Sequence, residues 1–328
     1  MTDISTKYMG LKLRNPIIVG SSKLTKDIEG LKAAEDAGAG AVVLKSIFEE
    51  EIRNKVDSLV DKSGSPFWHS EALDYISRYG QENAVVKYLN LVREAKKAIS
   101  IPVMASVHCT SHKGWIDFAK RLEEAGADGL ELNLHVLPSN PDLRGRKYEN
   151  VYYNVLYEVR KKTSIPIALK LGFFFSALAR TLRNLSRKGA DSLVLFNRYY
   201  GMDFDIETMK LKSASFLDRT ADFGLRLRWV SIMANRVNCD LAATGGIYDG
   251  NGVVKMILAG ASSVQVCSAL YKNGIGHISV MTRELEEWMK RHNFASLDDF
   301  RGKLSQTESE NPAAYERVQF MKSIVGIE

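Results

Sequence analysis

Eight short apolar runs alternate with helical segments along this chain, and the alternation limits the folds it can adopt. The runs are almost continuous in apolar residues, which is typical of strands buried on both faces of a parallel sheet. Eight strand–helix units predict a closed (β/α)8 TIM barrel of the α/β class rather than an open sheet. The runs are Pro16–Val19, Ala41–Leu44, Pro102–Val107, Gly129–Leu134, Pro166–Leu171, Ser192–Phe196, Asp240–Thr244 and Ser263–Val266.

The segments between the runs support this repeat. Amphipathic patterns predict helices over 27–37, 115–125, 151–163 and 176–188, and Ala-Gly-Ala recurs where helices lead into strands. A glycine just past a helix end supplies the left-handed cap there. Long segments at 47–83 and 197–223 follow strands two and six and predict extended βα loops, and 284–328 predicts a closing helix and a C-terminal helical appendage. Without a linker, residues 1–328 are expected to form a single domain.

Composition excludes several classes of function. The net charge of +6 is spread along a sequence in which basic and acidic residues are interleaved, so we expect no nucleic-acid partner. No run of about 18 apolar residues predicts a membrane span. Three cysteines without disulfide or metal spacing, and no secretory signal after Met1, predict a cytoplasmic protein without a metal site. The excess of basic over acidic residues suits a phosphorylated cofactor and an anionic substrate.

The clearest chemical motif follows the last two strands. Thr244-Gly245-Gly246-Ile247 ends one strand in a glycine pair, and the next strand ends at Cys267-Ser268. Backbone amides at such turns can hold an anion, and barrels often bind phosphate after strands seven and eight. The alternative is a pair of tight turns without a ligand. Two small-residue turns at neighbouring strands favour the phosphate site.

Motifs along nearly the whole chain are similar to one enzyme family. They are Tyr8-Met-Gly-Leu-Lys-Leu-Arg-Asn-Pro16, Val43-Leu-Lys-Ser46, Ala105-Ser-Val107, Gly126-Ala-Asp-Gly-Leu-Glu-Leu-Asn133, Pro166-Ile-Ala-Leu-Lys170, Thr244-Gly-Gly-Ile247, Gly260-Ala-Ser-Ser-Val-Gln-Val266 and Leu297-Asp-Asp-Phe-Arg-Gly302. The chain resembles the dihydroorotate dehydrogenase family of FMN-dependent oxidoreductases, in a soluble, class 1-like form. It is also similar to the flavin domain of dihydropyrimidine dehydrogenase.

The resemblance implies FMN as the cofactor and a role for each matching residue. The implied cofactor-binding residues are Gly20, Ser21, Lys45, Ser46, Asn133, Lys170, Gly224, Gly245, Gly246, Cys267 and Ser268. Asn133 and Asn197 would also bind the substrate, and Lys45 and Lys170 would act in catalysis. A lysine beside the pyrimidine edge of a flavin stabilises the negative charge of its reduced form. The alternative for the two lysines is that both extend to solvent at the barrel rim.

The sequence departs from the family where the catalytic base is expected. The family has a cysteine or serine after the fourth strand, whereas here Asn133-Leu-His-Val-Leu-Pro-Ser-Asn140 offers Val136 or Leu137 at that position. Ser139, His135 or Cys109 could replace the base, and histidine has a suitable pKa. Each of these three residues could instead be purely structural.

The loops on the substrate side also differ from the family. Leu73–Gly80 replaces the usual second-loop motif, and Asn197-Arg-Tyr-Tyr-Gly201 brings bulky side chains to the sixth loop. Tyr75, Arg78 and Tyr79 could serve a different substrate, and the sixth-loop tyrosines could stack on a flat ligand or simply cap the barrel mouth.

The leading hypothesis is an enzyme that oxidises dihydroorotate to orotate in pyrimidine biosynthesis. The alternatives are a related flavin enzyme that acts on another unsaturated or pyrimidine-like ring, a flavin-binding subunit without turnover, and a phosphate-binding barrel without flavin. Because the three cysteines form no iron–sulfur motif, we expect electrons to pass to a soluble acceptor or a partner electron-transfer protein. A homodimer is also expected from the family.

Overall fold

A computed structural model describes residues 2–48, 70–108, 116–199, 201–213 and 223–317. The strands in these ranges are short, as is usual in a (β/α)8 barrel. They are β1 (Thr6–Tyr8), β2 (Leu11–Leu13), β3 (Ile17–Val19), β4 (Ala41–Val43), β5 (Ile47–Phe48), β6 (Val103–His108), β7 (Gly129–Leu134), β8 (Ile167–Leu171), β9 (Ser192–Leu195), β10 (Met202–Asp205), β11 (Lys210–Ser213), β12 (Asp240–Thr244) and β13 (Ser263–Val266).

Helices follow most of the barrel strands. They are α1 (Ile28–Asp36), α2 (Ser70–Ala98), α3 (Ile116–Glu124), α4 (Gly145–Arg160), α5 (Leu178–Arg187), α6 (Phe223–Met233), α7 (Gly250–Ala259), α8 (Ser268–Asn273), α9 (His277–Arg291) and α10 (Ala313–Glu316). Asp27 and Asp249 cap the first turns of α1 and α7 by accepting hydrogen bonds from Gly30 N and Gly252 N. Such caps satisfy backbone donors that have no partner within the helix.

Eight strands form a closed, all-parallel barrel, as the sequence predicts. The order around the barrel is β3, β4, β6, β7, β8, β9, β12 and β13, and β13 pairs with β3 to close it. β5 continues the line of β4 and pairs with the end of β6. All eight predicted runs are therefore barrel strands, with bounds that differ by at most one residue at either end.

Two helix predictions have the wrong limits. The helix predicted over 151–163 runs from Gly145 to Arg160, because its first turns are polar and carry no apolar period. The closing helix predicted from Glu284 begins at His277, and Ile278 and Met281 extend the buried face that continues at Leu285. The predicted C-terminal appendage consists of a short 3-10 turn at Gln306–Glu308 and α10, and its remaining residues, 318–328, lie outside the described ranges.

The predicted glycine caps are confirmed. Gly38, Gly126, Gly189 and Gly260 follow helices and have φ values between 96° and 113°. An L side chain rarely adopts this left-handed conformation, so glycine is the residue that allows each helix to turn directly into the next strand.

The amino end of the barrel is plugged by the β1–β2 hairpin. Tyr8 and Met9 are buried against an inner layer of barrel side chains, and Met9 N donates to Asp240 Oδ2 at 2.6 Å, at the first residue of β12. Side chains alternate along a strand, so Ala168 faces this plug and Lys170 is the next inward residue toward the carboxyl end. The plug therefore closes the amino end of the barrel, and the polar network around Lys170 lies on its carboxyl side, where barrel sites are usually found.

The sixth βα segment contains a hairpin that the sequence analysis described only as a long loop. β10 and β11 pair antiparallel, with Phe204 opposite Leu211 and Asp203 opposite Lys212. One face of the hairpin is therefore apolar and the other carries paired charges. The second long segment contains β5 and the start of α2, which begins at Ser70. No helix in the described part of the chain is long and apolar enough to span a membrane.

Candidate functional site

A cavity of about 590 Å³ opens at the carboxyl ends of β3, β8, β9, β12 and β13. Its volume lies in the range of small-molecule and cofactor sites. Six of the predicted cofactor-binding residues and the predicted substrate ligand Asn197 line it. The lining residues are Ser21, Ser22, Lys23, Lys170, Phe196, Asn197, Arg198, Thr244, Gly245, Gly246, Ile247, Gln265, Val266, Cys267, Ser268 and Tyr271.

The glycine pair that lines the cavity has a conformation and a packing that only glycine permits. Gly245 and Gly246 have φ values of 92° and 75°. A Cβ on Gly245 would lie 2.4 Å from Arg226 Nε, and one on Gly246 would lie 3.0 Å from Phe223 N. The turn therefore exposes bare backbone to the cavity, which fits a phosphate held by backbone N–H groups.

The end of β3 lies directly against the end of β13. Gly20 N donates to Val266 O at 3.1 Å, and a Cβ on Gly20 would lie 2.8 Å from Cys267 Sγ. No side chain fits between the two strand ends. The predicted cofactor residues Gly20, Ser21, Cys267 and Ser268 thus form one continuous wall, of which the last three line the cavity.

Lys170 is buried at the floor of the cavity in a polar network. Its Nζ lies 3.1 Å from Gln265 Oε1 and 3.5 Å from Glu131 Oε1, and Gln265 Nε2 donates to Glu131 Oε2. Only 7% of Lys170 is exposed, so it does not extend to solvent at the rim. An ammonium so deeply buried needs an opposite charge, and the fully buried Glu131 provides it.

Two amide side chains meet beside this network. Asn197 Nδ2 donates to Asn133 Oδ1 at 2.6 Å, and Arg198 N donates to Asn197 Oδ1 at 2.9 Å. Asn133 is buried in β7, whereas Asn197 is half-buried just after β9. The contact brings together the two residues that the sequence predicts as substrate ligands and fixes the orientation of both amides.

A chain of hydroxyl groups connects the ends of β3, β4 and β6. Ser21 Oγ and Ser46 Oγ are 2.9 Å apart, and Ser46 Oγ and Ser106 Oγ are 2.7 Å apart. Tyr88 in α2 donates to Ser106 O, and burial raises the pKa of its phenol. Ser46 thus touches the cavity through Ser21, and Lys45, the residue before it, is half-buried.

The loop after β7 has no polar side chain at either position where the family base is expected. Val136 packs against the barrel core, and its N–H donates to Tyr152 OH at 3.0 Å. Leu137 is exposed, and so is Ser139, whose N–H bonds back to Leu137 O. Ser139 therefore lies on an exposed turn, and Cys109 lies outside the described residues.

His135 is the candidate base that lies among the side chains of the barrel mouth. Its ring packs on Gly172 and lies 6.4 Å from the Phe174 ring and 6.2 Å from the Tyr199 ring, measured between centroids. Burial, with a smaller effect of His108, lowers the pKa of His135 below its usual 6.5. The imidazole is therefore neutral at pH 7 and able to accept a proton.

Two other sets of predicted residues lie away from this cavity or cannot be located. Gly224 is exposed in the first turn of α6 and lines a separate cavity of about 490 Å³ with Tyr315. Tyr75, Arg78 and Tyr79 belong to the first turns of α2, and Tyr200 lies outside the described residues.

Sequence reasoning missed Glu131, Gln265, Ser106 and Arg226, all of which are buried at or beside the site. The first three are polar residues at inward positions of otherwise apolar strands, a pattern that could have identified them. Arg226 has no such signal, because an arginine early in a helix is usually exposed. Among the residues described, no group of three or more His, Cys, Asp or Glu side chains could share a metal ion.

Comparison with known proteins agrees with this geometry. The family model for dihydroorotate dehydrogenase matches residues 3–289. Over 312 residues, the chain is 28% identical to the catalytic subunit of dihydroorotate dehydrogenase B (NAD+) of Thermoplasma volcanium, covering 92% of this chain and 98% of the relative. The corresponding subunit of Methanocaldococcus jannaschii is 24% identical, over 88% of this chain and 94% of the relative. The chloroplastic dihydropyrimidine dehydrogenase (NADP+) of Arabidopsis thaliana is 25% identical, over 92% of this chain and 76% of the relative.

Proposed function

Because the chain belongs to the dihydroorotate dehydrogenase family of oxidoreductases, which act on CH–CH bonds with a flavin cofactor, we propose that it binds FMN and oxidises dihydroorotate to orotate. The observation that carries the proposal is that a bare glycine turn and the buried Lys170 ammonium line the same cavity. An elongated ligand with a phosphate and a ring that becomes anionic suits both features.

The fit to FMN is supported by the residues at the phosphate end. Gly245 and Gly246 leave no room for a Cβ, and Ser268 lines the same cavity. Gly20, where a Cβ would lie 2.8 Å from Cys267 Sγ, keeps the end of β3 free of a side chain beside the cavity. We therefore assign the phosphate to the glycine turn and the ring to the space above Lys170.

A bound flavin supplies the acceptor for the hydride that leaves the substrate. The contribution of this chain is electrostatic: Lys170, oriented by Glu131 and Gln265, places a fixed positive charge where negative charge develops. Lys45 would add a second cation. It follows β4, and only β3 lies between β4 and β13 in the barrel. The serines at the ends of β3 and β4, Ser21 and Ser46, would contact the ring through their hydroxyl or amide groups.

The substrate end is assigned to the Asn133–Asn197 pair. Amide side chains both donate and accept hydrogen bonds, which suits a ring that carries carbonyl and N–H groups. The contact between the two amides holds them in place before substrate arrives. Preorganisation of this kind reduces the entropy lost on binding.

For proton removal we propose His135. Two observations support this choice: its pKa is lowered by burial, and its ring lies at the barrel mouth against Gly172 and beside the Tyr199 ring. In this reaction the imidazole accepts the proton from one substrate carbon while the hydride leaves the neighbouring carbon. Ser139, exposed on its turn, is the less suitable candidate in this geometry.

We further propose that electrons leave through a soluble acceptor or a partner electron-transfer protein in the cytoplasm. The relatives from Thermoplasma volcanium and Methanocaldococcus jannaschii are named as catalytic subunits of dihydroorotate dehydrogenase B (NAD+). A catalytic subunit that receives electrons from a small anionic substrate needs such an outlet. The homodimer expected from the family remains a prediction.

The test is anaerobic mixing of the flavin-loaded protein with dihydroorotate while the flavin absorbance is recorded. We expect bleaching of the flavin band with saturation in dihydroorotate, and a reduction rate at least 100-fold lower in His135→Gln at pH 7.5. His292→Gln, at an exposed histidine of the α9 C-terminus, is the matched control and should reduce at the wild-type rate.

Two results would contradict the proposal. If the purified protein binds no flavin, the cofactor assignment is wrong. If it binds FMN but saturating dihydroorotate does not bleach the flavin, the substrate is a different ring. The apolar Val136 and the aromatic side chains near His135 would then explain why dihydroorotate is not accepted.

A further inference from the structure

Arg226 lies buried behind the glycine turn, in the first turns of α6. Only 5% of the residue is exposed, although arginine is usually a surface residue. Its guanidinium packs directly on Gly245: a Cβ built there would lie 2.4 Å from Nε and 2.7 Å from both Cζ and Nη2. Gly245 has a positive φ, and the Arg226 side chain fills the space that a Cβ on this residue would need.

The same helix turn also supports the second glycine. A Cβ on Gly246 would lie within about 3.0 Å of Phe223, and Phe223 and Arg226 are three residues apart in α6. Residues with this spacing lie on one face of a helix. One face of α6 therefore contacts both glycines, with backbone behind Gly246 and a cation behind Gly245.

Arg226 brings a positively charged group to this position. A guanidinium is more weakly hydrated than an ammonium, which makes arginine suitable for buried interactions with phosphate. Arg226 does not itself line the cavity, so an anion held by the backbone of the turn would have this cation on the far side of Gly245. In surroundings less polar than water, the attraction between the two charges is stronger than in solution.

We propose that Arg226 is a phosphate-anchoring residue and makes this chain selective for a phosphorylated flavin over the same ring without its phosphate. This inference rests on the assignment of FMN to the cavity under the proposed function. It goes beyond that assignment, because the glycine turn alone would offer only neutral N–H groups, whereas Arg226 adds a full charge.

The experiment compares two ligands that differ only in the phosphate. Dissociation constants of FMN and riboflavin are measured by fluorescence quenching on the full-length chain after flavin removal, for wild type, Arg226→Gln and Arg228→Gln. Arg228 is the matched control, because it is exposed on the same helix and has the same charge. We expect Arg226→Gln to weaken FMN binding at least tenfold and riboflavin binding less than twofold. Arg228→Gln should change neither dissociation constant by more than twofold.

Salt provides a second readout. Since a fixed charge that attracts a phosphate is screened by ions, FMN binding to wild type should weaken as NaCl rises from about 50 to 500 mM, and less so in Arg226→Gln. Riboflavin binding should be insensitive to salt in both proteins.

Several outcomes would overturn the inference. Equal losses for FMN and riboflavin in Arg226→Gln would mean that the arginine only supports the fold, and no loss for FMN would mean that it has no role in binding. If wild type binds both ligands equally, the selectivity is absent while the flavin assignment stands; if it binds neither, the proposed function itself fails. Should Arg226→Gln not fold, the phosphorus-31 resonance of FMN bound to Arg226→Lys decides: a shift from the wild-type position supports the contact, and an unchanged resonance contradicts it.

Discussion

Lys170 illustrates how much a single buried residue depends on its partners. Its ammonium lies at the cavity floor with Glu131 and Gln265 as hydrogen-bonding partners, and Glu131 is completely buried. Breaking a buried ion pair by removing one partner usually costs more than removing both, because one charge is left without compensation. If Lys170 acts as proposed, stability and function depend on the same three side chains.

A double-mutant cycle tests this coupling. Lys170→Met should lower the free energy of unfolding by about 3–5 kcal/mol, since it leaves the Glu131 carboxylate buried without its cation. Adding Glu131→Gln should recover a large part of that loss, because the remaining group is neutral. Urea denaturation at constant pH measures all four proteins. Strictly additive losses would show that the two charges are not coupled.

A second substitution at Lys170 distinguishes a role in flavin reduction from a role in binding the phosphate. Lys170→Ala should slow flavin reduction strongly while the FMN content per chain stays near the wild-type value, because the phosphate is assigned to the glycine turn and not to Lys170. Stopped-flow reduction and the absorbance ratio of flavin to protein give the two quantities. An unchanged reduction rate would remove Lys170 from the chemistry.

His135 gives a pH dependence whose sign follows from its surroundings. Burial lowers the pKa of this histidine, so its neutral form persists somewhat below pH 6.5. If His135 is the base, the rate of flavin reduction should not change with pH above about pH 6.5. It should decrease as the pH falls through the lowered pKa of His135. The effect of His135 on the free energy of unfolding has the same direction. The free energy of unfolding is unaffected above pH 6.5 and decreases on acidification, because the folded state resists protonation of this histidine.

Rates of flavin reduction between pH 5 and 8 measure this profile. The low-pH limb should disappear in His135→Gln, whose residual rate should be flat in this range. A limb that survives in His135→Gln would belong to another group and would exclude His135 as the base.

At the scale of elements, the β10–β11 hairpin is a structure that the sequence analysis did not predict. Met202-Asp203-Phe204-Asp205 and Lys210-Leu211-Lys212 alternate correctly for strands, but each stretch is too short to be distinguished from an irregular loop. Its apolar face is largely open, with Phe204 65% and Leu211 66% exposed. The barrel strands were easier to predict because their apolar runs are buried on both sides.

This difference in burial leads to a prediction for the hairpin. Phe204→Ser with Leu211→Ser should change the free energy of unfolding by less than about 1 kcal/mol, because little apolar contact is lost from exposed positions. Leu193→Ala in β9, a fully buried barrel position, should cost about 2–5 kcal/mol in the same assay. If the hairpin double variant were as destabilised as Leu193→Ala, the hairpin would have to be packed against other parts of the protein.

At the scale of the whole molecule, closure of the barrel links the ends of the chain. β3 near the amino end pairs with β13, and Asp3 forms a bridge with Ser296. The barrel thus cannot lose its last strand without exposing the edge of its first. For this reason we predict that residues 1–328 unfold as one domain.

Differential scanning calorimetry tests this prediction. A single transition should move to higher temperature when FMN is added, since a ligand present at about 100 times its dissociation constant adds about 2.7 kcal/mol to the stability of the folded state. Two separate transitions, with FMN raising the temperature of only one of them, would show that the chain contains two domains.

The sequence by itself determined the number and order of the barrel strands, the glycine caps and the glycine turn, because these depend on local periodicity and backbone freedom. Most of the strand-end residues that line the cavity, such as Lys170, could also be named from motifs. Only the tertiary structure revealed the partners: Glu131 on the strand next to Lys170, Gln265 on a strand three positions away, and Arg226 from a helix behind Gly245. Their contacts join residues about 20 to 130 positions apart, and no local pattern encodes which of them meet when the barrel closes.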